Sequence, residues 1–66
     1  MKINVVDWYD GEPEIIGVAR TYGEAAAIRD ARYEDTDGEA NVSCYMGGKC
    51  IDHIVSLYIP CDNEDY

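Results

Sequence analysis

Basic residues are scarce in this chain of 66 residues: five Lys and Arg stand against fourteen Asp and Glu, a net charge of −9. That shortage argues against direct binding to nucleic acid, whose phosphates are held by Lys and Arg, and against anionic membrane surfaces. Long apolar runs are missing too. The first ten residues, M-K-I-N-V-V-D-W-Y-D, lack the apolar run of a signal peptide, and no stretch approaches membrane-spanning length. The expectation is a soluble, cytosolic protein. Cysteine is limited to three residues, an odd number that reads as reduced thiols rather than a disulfide framework. The length leaves room for one small domain over 1–66 and none for a second domain or an elaborate active site.

Acidic composition alone can mean disorder. Here 47% hydrophobic residues, with six tyrosines and one tryptophan, predict a folded domain instead. Its centre is the stretch T-Y-G-E-A-A-A-I-R-D-A-R-Y, Thr21 to Tyr33. Thr21 and Glu24 form a capping box that satisfies backbone N–H groups of the first helical turn. Ala25, Ile28 and either Ala31 or the stem of Arg32 make a thin apolar stripe at helical spacing. A stripe made largely of alanine lets a helix lie close to a flat partner, which predicts one helix resting on a sheet.

The flanking segments supply that sheet. Lys2–Tyr9 is rich in β-formers, Asp10-Gly11-Glu12-Pro13 is turn chemistry, and Glu14–Ala19 is a second short strand, so 2–19 reads as a hairpin. Gly17 marks either a bulge or a close approach of the helix. After the polar run E-D-T-D-G-E-A-N, Asn41–Met46 alternates, Gly47-Gly48 is a hairpin signal, and Lys49–Ile59 reads as a long final strand stopped by Pro60. The tail 61–66 is polar and expected to fray. The predicted class is α+β: an antiparallel four-stranded sheet in ββαββ order with one α-helix packed on one face.

That path makes a prediction about charge. With the Asp10–Pro13 turn at one end of the sheet, the helix starts at the opposite end and returns, so the acidic run after it and the tail arrive beside the turn. Asp10, Glu12, Glu14, Glu34, Asp35, Asp37, Glu39, Asp62, Glu64 and Asp65 then share one pole, ten of the fourteen acids, while Lys2, Arg20 and Lys49 fall near the other. A charge run is ordinarily a solvated face. Crowding like charge at one end sacrifices stability, and a binding surface is one reason to tolerate it. The residues singled out for partner contact are Asp10, Glu12, Glu14, Glu34, Asp35, Asp37 and Glu39, with Tyr9 and Tyr33 beside them.

Catalytic and metal chemistry find little support. Cys44, Cys50, His53 and Cys61 offer zinc ligands, but C-x5-C-x2-H-x7-C lacks the tight C-x2-C pair of zinc modules, and no metal or other cofactor is expected. With Gly47-Gly48 as a two-residue loop, Met46 pairs with Lys49. Val42, Cys44, Ile51, Val55, Leu57 and Ile59 then share an apolar face, with Cys50 on the other. A three-residue loop would instead set Cys44 opposite Cys50 and permit a disulfide, at the cost of burying Asp52 and Ser56. His53 reads as a satisfied or edge-exposed histidine, no nucleophile can be matched to a base and an orienting acid, and the chain is not expected to be an enzyme. The face without the helix is expected to carry Tyr45, Ile54 and Tyr58, with Trp8. Those are ordinary cross-strand pairs or a protein contact surface.

Taken whole, with its length, its charge and the acidic loops Y-D-G-E-P-E and Y-E-D-T-D-G-E-A around one short helix, the chain resembles the small acidic phage-borne anti-CRISPR proteins, those acting on type I-C systems among them. The resemblance implies a non-enzymatic inhibitor in the host bacterial cytoplasm. Its acidic, DNA-mimicking surface would occupy the basic nucleic-acid-binding groove of a CRISPR surveillance complex and block target DNA binding. The partner would be a subunit of that complex or another basic nucleic-acid-binding protein, and the chain itself a monomer. The alternative is a small adaptor or homodimer that uses its tyrosine-bearing sheet face.

Overall fold

Thr21 begins the helix as its sequence requires. The Thr21 hydroxyl accepts the Glu24 N–H at 3.1 Å, and the Glu24 carboxylate reaches back to the Arg20 N–H at 2.8 Å, one residue before the cap. A computed structural model of the chain describes residues 1–58. It contains β1 (Ile3–Asp7), β2 (Glu14–Ala19), α1 (Tyr22–Asp35), β3 (Val42–Met46), β4 (Lys49–Cys50) and α2 (Asp52–Val55). The class is α+β, with a four-stranded antiparallel sheet in the order β2-β1-β3-β4 and α1 across one face.

The core lies between α1 and the sheet. Ile3 and Val5 of β1, Ala19 of β2, Cys44 of β3 and Ala25 and Ala26 of α1 are all buried. Alanines at the contact bring the helix so near the sheet that a Cβ on Gly17 would sit 3.0 Å from Ile28 Cδ1. The register slips between Val5 and Val6, where Val5 faces Gly17 and Val6 faces Ile15. This bulge leaves Ile16 as the extra residue and turns it with Gly17 toward the helix. Gly17 therefore marks both things its sequence position suggested. The outer part of the α1 stripe falls to Arg32, which is half-buried, while Ala31 is exposed.

The chain departs from its expected path after Cys50. A strand from Lys49 to Ile59 is replaced by a two-residue strand and the short helix α2, so two helices are present among the described residues where one was expected. The loop register is the predicted one, with Met46 opposite Lys49. Ile51 N–H donates a last ladder bond to the Cys44 carbonyl at 2.8 Å. The Asp52 carboxylate then accepts the Cys44 N–H at 2.7 Å, standing where a strand carbonyl would. With that amide satisfied, the backbone is free to coil, and Val55 N–H bonds back to the Ile51 carbonyl at 3.0 Å. Ile51 and Val55 stay in the core by helical spacing rather than alternation. Leu57, assigned to the apolar face, is 82% exposed. Ile54 packs against the core and Tyr58 against Tyr22 of α1 (ring centroids 5.0 Å apart), so neither lies on the uncovered face. Trp8 and Tyr45 do. Ile59, Pro60 and the tail 61–66, with Cys61, Asp62, Glu64 and Asp65, lie outside the described residues.

Cys44 and Cys50 are free thiols in different settings, the first buried and the second exposed. Burial, reinforced by the nearby Asp52 charge, pushes the Cys44 thiol up to about 11. At pH 8 this leaves roughly a hundredfold less thiolate than an ordinary cysteine carries. Iodoacetamide at that pH is expected to modify Cys50 in the native chain and Cys44 only in urea, as read by peptide mass mapping. Equal labelling of the two without denaturant would contradict the burial of Cys44.

Candidate functional site

Four segments meet at the end of the sheet that holds the β1–β2 turn. They are the exit of β1, the turn itself, the last turn of α1, and the loop from Thr36 to Asn41. Local chemistry fixes each. In the β1–β2 turn, Gly11 takes φ 88° and its N–H donates to the Trp8 carbonyl, while the Asp10 carboxylate accepts the Glu12 N–H. At the end of α1, the Thr36 hydroxyl donates to the Arg32 carbonyl at 2.9 Å and accepts the Ala40 N–H at 3.0 Å. Asp37 and Gly38 follow with φ of 59° and 85°, left-handed values that reverse the chain, and Gly38 N–H closes on the Tyr33 carbonyl at 2.7 Å.

Asp7 ties these segments together. It is 3% exposed, and its carboxylate accepts the Tyr9 N–H at 2.9 Å, the Asn41 N–H at 3.2 Å and Arg32 Nε at 2.8 Å. The same guanidinium reaches Glu14 of β2 at 3.4 Å through Nη2. The Arg32 hydrogen bond holds the Asp7 carboxyl below its ordinary value, with the two backbone N–H groups assisting and burial opposing. In return the Asp7 bond, reinforced by the charges of Asp7, Glu14 and Asp35, raises Arg32 above its usual value.

Around this clip opens a cleft of about 320 Å³, lined by Asp7, Tyr9, Asp10, Glu14, Arg32, Thr36 and Glu39. The exposed Tyr9 hydroxyl donates to Glu39 at 3.2 Å, joining the β1 exit to the loop after the helix. Of the residues singled out from sequence, Asp10, Glu14 and Glu39 therefore share one cleft. Glu12 sits in the adjoining turn, and Glu34, Asp35 and Asp37 at the end of α1 and just past it, all exposed. Among the described residues, eight carboxylates at this pole, Asp7 included, face one guanidinium. At the opposite end, beside the Gly47-Gly48 turn, are Lys2, Arg20 and Lys49, which make no ion pair among the described residues.

Tyr33 is not part of this surface. Its hydroxyl accepts the Val42 N–H at 3.3 Å and its ring packs on the core, so it pins β3 to α1. Asp7, Arg32 and Thr36 are the additions that sequence reasoning missed. The signal for the first two was present: Asp7 continues the Ile3, Val5 alternation into the core, and a buried carboxylate calls for a cation. Arg32 is the basic residue that the helical stripe delivers to it.

Cys44, Cys50 and His53 do not converge. Cys44 faces the core, Cys50 is paired with Tyr45 on the opposite face, and His53 is exposed on α2. No helix among the described residues is long and apolar enough to cross a membrane. Compared with family models, with characterised proteins and with solved structures, the chain matches none, so the functional argument rests on the geometry of the pole.

Proposed function

We propose that this protein is a non-enzymatic inhibitor that acts in the cytoplasm by docking its acidic pole into a basic groove built for nucleic acid. One observation carries the reading. Carboxylates from the β1–β2 turn and from the loop after α1 are brought together over a clip that holds the loops in place, and a single guanidinium offsets them. Such a surface presents fixed negative charges in the way a phosphate backbone does, and complementary charge steers it to Lys- and Arg-lined grooves. The resemblance to anti-CRISPR proteins supplies the particular groove, the target-DNA site of a surveillance complex, where occupancy blocks target binding by competition.

The test is a mobility-shift titration with a purified type I-C surveillance complex and its double-stranded target. Preincubation with the chain is expected to abolish the shifted band. Excess target should relieve the inhibition, and raising NaCl from 0.05 to 0.5 M should weaken it, since charge steering is screened over about 10 Å at 0.1 M. Full target binding at a tenfold excess of the chain would remove this partner from consideration. A second reading, an adaptor acting through the uncovered sheet face, is favoured by a separate observation: Ile15 and Val18 on that face are 62% and 53% exposed.

A further inference from the structure

Among the described residues, the face of the sheet turned away from α1 carries no charged side chain between its two ends. Alternation from the observed register places Asn4 and Val6 of β1, Ile15 and Val18 of β2, and Ser43 and Tyr45 of β3 on it. Trp8 extends it, with its ring edge against Tyr45 (centroids 6.5 Å apart) and its indole N–H donating to the Tyr45 hydroxyl at 3.2 Å. A shallow groove of about 360 Å³ runs between the Trp8–Tyr45 pair and Ile15, with Val6 at its base. Ile15 and Val18 are more than half exposed, large β-branched side chains left in water on an edge strand.

Charge from the described residues lies at the two ends of this face, and with opposite sign. Lys2 and Arg20 continue the alternations of Asn4 and Val18, so they border the face at its lower end, and both are exposed. Glu12 borders it at the upper end, exposed in the turn next to Pro13, which lines the groove, while Asp10 lines the cleft on the α1 side. Two faces packed with their strands running the same way would set acidic pole beside acidic pole. A two-fold axis in the plane of the sheet, perpendicular to the strands, instead lays Lys2 and Arg20 of each copy over Glu12 of the other.

We infer that the occupant of this face is a second copy of the chain, packed face to face and antiparallel in an isologous dimer. Ile15 and Val18 form its apolar centre, and Lys2 and Arg20 of one copy with Glu12 of the other form its rim. The inference rests on the sheet-face reading and shares Glu12 with the acidic pole; substitutions at Ile15 and Val18 leave every carboxylate in place and so test it separately from the pole. Four strands about 4.8 Å apart and five residues long span roughly 300–400 Å², below the roughly 800 Å² per partner of a stable interface. The dimer is therefore weak and reversible.

Sedimentation of the full chain under reducing conditions, from 5 to 500 µM, tests this. The expected mass rises from 7.4 kDa toward twice that value. The Ile15→Thr/Val18→Thr variant, which keeps β-branched side chains at both positions, should weaken association at least tenfold, while Leu57→Thr, at an exposed residue of the helix side, should leave it unchanged. Dilution of the unmodified chain, followed by amide NMR shifts, needs no variant: concentration-dependent shifts should fall on Val6, Ile15, Val18 and Tyr45. Carbodiimide coupling in an isotopically mixed dimer should join Lys2 of one copy to Glu12 of the other. A monomer at 500 µM, association indifferent to the Thr pair, shifts confined to α1, or couplings only within one copy would each overturn the proposal.

Discussion

Neutralising the outer carboxylates of the pole, as Glu34→Gln, Asp35→Asn, Asp37→Asn and Glu39→Gln together, is expected to weaken binding to the surveillance complex about a hundredfold. None of the four makes an ion pair among the described residues, and only Asp35 adds a favourable field at Arg32. Glu34 and Asp35 end α1, where acids meet the negative end of the helix and are mildly unfavourable. Asp37 holds φ 59°, a conformation asparagine tolerates and lysine does not favour, so removing its charge is safer than reversing it. Glutamine at 39 keeps an acceptor for the Tyr9 hydroxyl. Exposed charge pairs contribute about 0.2–1 kcal/mol each, and four near the upper end sum to roughly 3 kcal/mol, or two decades in affinity.

The melting temperature should stay level or rise slightly, because the substitutions relieve repulsion. Loss of binding with retained stability separates a docking surface from a structural one. Glu24→Gln with Asp30→Asn, both away from the pole and with Glu12 and Glu14 left intact, tests whether net charge alone matters. Those sites should cost little in binding measured by interferometry at 0.15 M NaCl. Unchanged affinity in the fourfold pole variant would leave the acidic surface without a role in recognition.

Much of this pole was legible because it follows from topology alone. Once Thr21 is read as a cap and the segments on either side as hairpins, the direction of each strand decides which loops meet. Asp10, Glu14 and Glu39 arrive in one cleft for that reason. The part after Cys50 was not legible in the same way. Ile51, Val55 and Leu57 satisfy alternation, while Ile51, Ile54, Val55 and Tyr58 satisfy the helical period, and a short apolar run does not decide between them. What decides is one tertiary contact, the Asp52 carboxylate on the Cys44 amide. Composition cannot show that bond. Asp7 failed for a different reason: an acid near a strand end reads as turn chemistry, and only its place on the buried face of β1 betrays its partner in α1.

Replacing that partner-bound acid has the largest expected effect on stability. Asp7→Ala strands three donors at once: the Tyr9 and Asn41 N–H groups and the Arg32 guanidinium, which keeps only its longer contact to Glu14. Unmet donors and an unpaired charge at a nearly buried site are among the few causes of severe destabilisation. A fall of about 10 °C or more in melting temperature is the expected result for so small a domain. Asp7→Asn separates charge from hydrogen bonding, since its carbonyl oxygen still accepts from the backbone while its amide faces Arg32 as donor against donor. The pH dependence follows from the direction of the shift. Because the folded value lies below the ordinary 3.8, the unfolded chain binds more protons over that interval. The contribution is therefore complete by about pH 5 and lost as pH falls through the folded value. Urea unfolding from pH 7 down to pH 2.5 should show this loss in the parent chain on its acid limb. The Asp7→Asn variant, less stable at neutral pH, should converge on the parent there, because protonation has already removed the charge that the substitution removes. Parallel curves, with the gap between the two proteins constant down to pH 2.5, would mean that Asp7 is not held ionised by Arg32, and that the loops of the acidic pole are fastened by something else.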